Sequence, residues 1–273
     1  MSAVHEVDSV ARCVQLGAAD YLFKPFNPVL LKARVDACLE QKRLRDREHE
    51  HIAQIKLEQE RSERLLLSIF PKSIAEQLKR DGARSIAQSF ADATVLFAAL
   101  SGFSRVAALR PAPAVVELLN RYFSAFDALA ERHGVEKVKT IGDTYMAVAG
   151  LPEPRPDHAE AIADMALSMQ QATAGIDTGS GAGDRLSLRV GVHTGPVVAG
   201  VIGTRRFAYD LWGQTVSVAG QMETFGLAGS IQVTATTYER LKDKYLFEER
   251  GAFYLNGGGE IETYLLRGRK APR

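Results

Sequence analysis

The chain has 273 residues, 46% of them hydrophobic and 25% charged, a composition that supports a full-sized core and excludes wholesale disorder. Its 34 Lys+Arg balance 33 Asp+Glu to a formal charge of +1, so neither nucleic acid nor an anionic membrane is expected as a partner. Cys13 and Cys38 lack C-x-x-C spacing and read as reduced thiols, no apolar run approaches the roughly 20 residues that cross a bilayer, and Glu6 and Asp8 stand where a signal peptide is basic, so a cytoplasmic protein is expected.

Residues 1–39 carry a short helical pattern, a turn at Gly17 to Asp20, a short strand Tyr21-Leu22-Phe23, then Lys24-Pro25-Phe26 and a further helix. The fragment resembles the last third of a response-regulator receiver domain, whose final strand ends in the Lys-Pro-Phe motif matched by Lys24, Pro25 and Phe26. The resemblance implies a lysine that contacts a phosphoryl group. That family carries its phosphate-accepting aspartate on an earlier strand, which is not present here, so phosphorylation is not expected to be the trigger. Lys24 reads equally as a surface lysine beside a turn.

Residues 40–88 form the linker and connector. Glycine is absent up to Lys79, and Ile52, Ile55, Leu66 and Ile69 recur at helical spacing, which predicts a long helix able to pair with its copy. Arg45 and Glu48 interrupt that seam, and a solvated single helix is the alternative. Pro71 is expected to break the helix.

Residues 89–273 alternate strands and helices. Ala93 to Leu100 is an apolar run of strand length, Ala112 to His133 has helical periodicity, and Glu136 to Ala149 reads as two strands around a Gly142-Asp143 turn. A helix from His158 to Thr173 follows, then an alternating strand from Leu186 to His193. A hairpin and helix surround Tyr209 to Phe225, and Glu262 to Leu266 forms the last strand. The fold class expected is α/β (α+β), with the β-α-β-β-α-β order of a ferredoxin-like domain.

Four motifs stand in order along this stretch: Leu96 to Ser104 (LFAALSGFS), Lys137 to Met146 (KVKTIGDTYM), Gly191 to Val197 (GVHTGPV) and Tyr209 to Val216 (YDLWGQTV). They are similar to the successive signatures of class III adenylate/guanylate cyclase catalytic domains. The resemblance implies a dimer, a homodimer or a heterodimer with another cyclase domain, whose composite sites convert ATP or GTP to a 3′,5′-cyclic nucleotide and pyrophosphate. It also implies two Mg²⁺ or Mn²⁺ ions held by two aspartates. The second of those positions is Asp143. The first falls on Ala99, whose methyl group cannot bind a cation, and Asp92 is expected before the strand, too distant to replace it.

The resemblance further assigns base recognition to Lys139 and Asp210. A lysine at the first of these positions implies adenine, hence ATP as ligand or substrate. An ion pair between the two across a subunit interface is the structural alternative. The family's transition-state Asn and Arg fall on Ser217 and Gln221, which carry no charge. Its phosphate lysine belongs to a Lys-Gly-Lys-Gly stretch written here as Asn256-Gly257-Gly258-Gly259. The backbone from Leu100 through Ser101, Gly102 and Phe103 to Ser104 is expected to form an anion cradle.

A homodimer would repeat the same losses in both of its sites, and a complete partner would leave each site half impaired. The leading expectation is therefore a degenerate cyclase domain acting through dimerisation and ATP binding. The alternatives are a slow but active adenylate cyclase and a ligand-free dimerisation domain. None of the six histidines has metal-ligand spacing, and His193 is expected to be structural.

Overall fold

A computed structural model describes residues 11–13, 15–18, 25, 27–81, 86–177, 186–203, 207–255 and 259–271. Tyr21 to Lys24, Phe26 and Asn256 to Gly258 lie outside the described residues, and with them the receiver-like strand and most of the Asn-Gly-Gly-Gly stretch. Contacts divide the chain into two units, Met1–Ile69 and Phe70–Arg273.

The first unit is dominated by α1 (Pro28–Leu67), a single helix of 40 residues that runs unbroken past the residue 39/40 boundary drawn from sequence. Its start is dictated locally. Pro28 supplies a preset φ at the first helical position, and the Asn27 side chain accepts from the amides of Val29 at 3.0 Å and Leu30 at 3.4 Å. No α1 residue is buried, so Ile52, Ile55 and Leu65 all face outward. The helix stops at Ser68, before Pro71.

The connector helix α2 (Lys72–Asp81) belongs to the second unit, where Phe70, Ile74 and Ala75 are buried. There follow β1 (Ile86–Ser101), α3 (Phe103–Ala108), α4 (Ala112–His133), β2 (Glu136–Ile141), β3 (Thr144–Ala149), α5 (His158–Gly175) and β4 (Ser187–Ile202). The chain ends with β5 (Ala208–Trp212), α6 (Gln214–Thr224), β6 (Ile231–Thr234), α7 (Ala235–Leu241), β7 (Tyr245–Leu255) and β8 (Gly259–Arg269). The sheet order is β2-β3-β1-β4-β6-β8-β7, with β5 paired to β4. Its first four strands are mutually antiparallel and reproduce the expected ferredoxin-like order. Strands β6 and β7 and helix α7, which the sequence reading passed over, extend that sheet beyond β4 through the parallel β4–β6 pair.

Period-two alternation gives the sheet two faces. On one, Leu96, Ala98 and Leu100 of β1, Tyr145 and Ala147 of β3 and Leu188 and Val190 of β4 pack against Leu118, Tyr122 and Phe126 of α4 and Ile162, Met165 and Met169 of α5. On the other, Ala99 and Phe97 of β1 align with Thr144 and Met146 of β3 and with Arg189 and Gly191 of β4. Helix α6 crosses this second face so closely that a Cβ on Gly191 would lie 2.0 Å from the Glu223 amide nitrogen.

Asp92 does not precede the strand; it lies inside β1, at the register shift between Phe90 and Ala93. The bulge turns its carboxylate toward Arg240 at 2.8 Å and His158 at 3.2 Å. His158 in turn meets the buried Thr94 hydroxyl at 2.7 Å, so Asp92 ties α5, α7 and β1 together.

Candidate nucleotide site

The site lies on the α6 face, at the ends of β1 and the β2–β3 hairpin. Gly142 adopts φ 61° while Asp143 does not adopt a positive φ, the pattern of a two-residue type II′ turn, and the pairing of Ile141 with Thr144 closes it. The turn places Asp143 beside β1: the Leu100 amide donates to the Asp143 carbonyl at 3.2 Å, and Ala99 pairs with Thr144. The two positions assigned to metal are therefore neighbours. One is a half-buried carboxylate and the other a buried methyl group.

A cation that the sequence reading did not single out stands on the same face. Arg189 is the β4 partner of Ala99, and its guanidinium donates to Glu223 of α6 through Nε at 2.8 Å and Nη2 at 2.7 Å. Glu223 is buried, so the pair anchors α6 to the sheet with its charge compensated. Among the described residues no group of three or more His, Cys, Asp or Glu side chains is placed to hold a metal ion. With a methyl at position 99, Asp143 supplies a lone carboxylate, and the residues present do not fit a two-ion centre.

Lys139 and Asp210 do come together, within one chain rather than across an interface. Lys139 Nζ lies 2.5 Å from Asp210 Oδ2, and Asp210 Oδ1 accepts the Leu211 amide at 2.9 Å. The pair joins β2 to β5, which is held in place by its ladder to β4, where Asp210 is opposite Gly200. Beside it, burial pushes the Glu136 carboxyl up to about 6. The Tyr209 hydroxyl is buried with no hydrogen-bond partner among the described residues, and burial together with the Glu136 charge raises its pKa. Neither effect is legible in local spacing, because each follows from burial in the folded chain.

Ser217 and Gln221 stand one turn apart on α6, Ser217 exposed and Gln221 half-buried. Neither brings a cation to the face. The backbone cradle is narrower than expected. The Leu100 amide is committed to Asp143, and Ser101 is paired with Ser187 in the β1–β4 ladder. Gly102, at φ 88°, turns the chain into α3, whose six residues leave the amides of Phe103 and Ser104 without an intrahelical acceptor. His193 behaves as expected of a structural residue: its Nδ1 meets the Thr234 hydroxyl at 2.7 Å, and burial holds its imidazole down to about 4.

Residues 86–268 match the family described as the adenylate and guanylate cyclase catalytic domain. An adenylate cyclase of Mycobacterium tuberculosis is 47% identical over 218 residues, which is 80% of this chain and 49% of that protein. The human guanylate cyclase soluble subunit beta-2 is 38% identical over 211 residues, 77% of this chain and 34% of that protein. This chain thus spans about half or less of the length of these relatives. Among solved structures, the guanylate cyclase domain of RhGC from Catenaria anguillulae in complex with GTP superposes with a TM-score of 0.64 at 32% identity, covering 67% of this chain and all (100%) of that one. The adenylyl cyclase CyaB from P. aeruginosa gives 0.64 at 25% identity, covering 69% and 98%.

Proposed function

Because the chain belongs to the adenylate and guanylate cyclase catalytic-domain family, we propose that it is an adenylate cyclase-type domain that retains base recognition, has lost most of the catalytic chemistry, and signals through dimerisation and ATP binding. The observation that carries this reading is the contrast within one sheet face. The Lys139–Asp210 pair is assembled and oriented, whereas Ala99, Ser217 and Gln221 present a methyl, a hydroxyl and an amide where the chemistry calls for carboxylate, amide and guanidinium.

The reaction is an attack of the ribose 3′ oxygen on the α-phosphorus, and charge accumulates on the phosphate oxygens as it proceeds. Nothing at Ala99 or Gln221 neutralises that charge. Loss of one arginine in phosphoryl transfer is worth about 10³ to 10⁵ in rate in other enzymes, and loss of a metal ligand removes several kcal/mol more. A second copy of the same chain supplies the same side chains, so a homodimer does not restore them.

Binding is a separate matter. An ammonium donor and a carboxylate acceptor can read the edge of adenine, and a base with the opposite pattern leaves buried groups unpaired. The test is calorimetry with ATP and GTP, together with a cyclase assay on the purified chain in Mg²⁺ or Mn²⁺. Saturable ATP binding that Lys139→Ala weakens, with turnover far below about 1 s⁻¹, supports the proposal. Turnover near that rate would replace it with the active adenylate cyclase reading, which the name of the mycobacterial relative favours. Flat calorimetric traces would leave a ligand-free dimerisation domain.

A further inference from the structure

Lys137 and Lys139 are two residues apart on β2, and an unbroken strand would point both ammonium groups to the same face. They point to opposite ones. Lys137 pairs with Ala147, a residue of the helix-facing core, whereas Lys139 pairs with Met146 on the α6 face, because the register shifts between them and Val138 is left without a partner. This bulge is what carries Lys139 over to Asp210.

Something must hold the bulge, since an extra residue in a ladder gives up pairing and a regular register is always available to the strand. On the helix-facing side, Asp127 of α4 meets Lys137 Nζ at 2.7 Å through Oδ1 and at 2.8 Å through Oδ2. The Tyr145 hydroxyl donates to Asp127 Oδ1 at 2.8 Å, and the Lys137 ammonium lies 5.3 Å from the centroid of the Tyr145 ring. Tyr145 is fully buried against Phe123 and Phe126, so the carboxylate it orients is fixed relative to the core.

We infer that Asp127 is a positioning residue for base recognition: by claiming Lys137 on the helix-facing side, it fixes the Val138 bulge that delivers Lys139 to Asp210 on the opposite side. Two equivalent ammonium groups are allotted to two carboxylates, one on each face. If the bulge were ironed out, Val138 would take the place opposite Met146 and Lys139 would turn toward Asp127, emptying the base site of its donor. The inference deepens the proposed adenine reading and rests on it for its meaning, but its structural content can be measured without any nucleotide.

The experiment labels lysines with a limiting acylating reagent and reads each site by mass spectrometry, using exposed Lys56 as internal standard. Asp127→Ala and Asp127→Asn are compared with the unmodified chain, and thermal melts verify that each variant is folded. The expected result is that Lys139 labelling relative to Lys56 changes about fivefold or more in both variants, a factor that corresponds to about 1 kcal/mol, and that Asp127→Glu returns it toward the original value. In parallel, the ratio of ATP to GTP affinity should fall toward one in Asp127→Asn. Lys139 labelling unchanged in folded Asp127→Asn overturns the inference. If the unmodified chain binds neither nucleotide, the proposed function fails and the labelling alone still decides whether Asp127 positions Lys139.

Discussion

Ala99 and Asp143 sit side by side, with the Leu100 amide donating to the Asp143 carbonyl at 3.2 Å and Ala99 paired to the residue that follows Asp143. The backbone therefore sets positions 99 and 143 next to one another, and only one of them carries a carboxylate. Restoring Ala99→Asp together with Ser217→Asn and Gln221→Arg is expected to create measurable cyclic AMP synthesis from ATP. Ala99→Asp alone is expected to leave turnover at background, because the α-phosphate charge still lacks its arginine. A cyclic AMP immunoassay on purified variants decides, and activity in the single variant equal to that of the triple would contradict the reading.

The Lys139–Asp210 contact gives a prediction about affinity. Removing either partner leaves the other charge half-buried without its counter-ion, so Lys139→Ala and Asp210→Asn should each weaken ATP binding by about tenfold or more, equivalent to about 1.4 kcal/mol. Isothermal titration measures it directly. ATP affinity unchanged from the unmodified chain in both variants would remove the pair from the binding site.

Two half-buried titratable groups oppose one another in acid. His193 is held down to about 4 from an ordinary 6.5, so its contribution to stability is lost as pH falls from 6.5 toward 4. Glu136 is raised to about 6 from 4.5, so its contribution is present below 4.5 and is lost as pH rises through 6. Between those limits the two slopes partly cancel, each worth on the order of 1–3 kcal/mol before allowance for the solvent that still reaches them. Urea titrations from pH 4.5 to 6 should show stability rising more steeply with pH in Glu136→Gln than in the unmodified chain, and falling with pH in His193→Asn. Parallel profiles for all three would show that neither group titrates in this window.

At Gly191 the backbone of α6 packs directly against the sheet. A methyl there would meet backbone atoms of Glu223, Ala219 and Met222 at 2.0 to 2.5 Å, none of which belongs to a flexible side chain. Gly191→Ala should lower stability by about 3 kcal/mol or more by forcing the helix off the sheet. It should also loosen the Arg189–Glu223 anchor. A thermal melt within a degree or two of the unmodified chain would show that α6 is not so tightly seated.

The fourfold run of motifs, the apolar run of Ala93 to Leu100, the alternation of Leu186 to His193 and the helical period of Ala112 to His133 were enough to place the central strands, the hairpin and the two core helices, because each is long enough to carry its own pattern. Strands β6 and β7 escaped that reading. β6 has four residues, all buried, and so shows no alternation, and β7 carries Glu248, Glu249 and Arg250 in mid-strand, since its burial is intermittent. Asp92 was misplaced for a related reason: a bulge has no local signature in a strand whose next residues are uniformly apolar.

The sequence by itself determined which chemical groups this chain can offer. A methyl at 99 cannot hold a cation, and a hydroxyl at 217 and an amide at 221 cannot carry positive charge, under any folding, while the lysine and aspartate at 139 and 210 keep their donor and acceptor character in every fold. Only the tertiary structure decided which of those groups meet. The Lys139–Asp210 pair depends on one unpaired residue in β2, on a carboxylate of α4 on the opposite face, and on β5 lying along the second half of β4. Side-chain direction in a strand reverses with each added residue, so such a meeting is fixed by register and packing among distant segments and leaves no trace in local spacing.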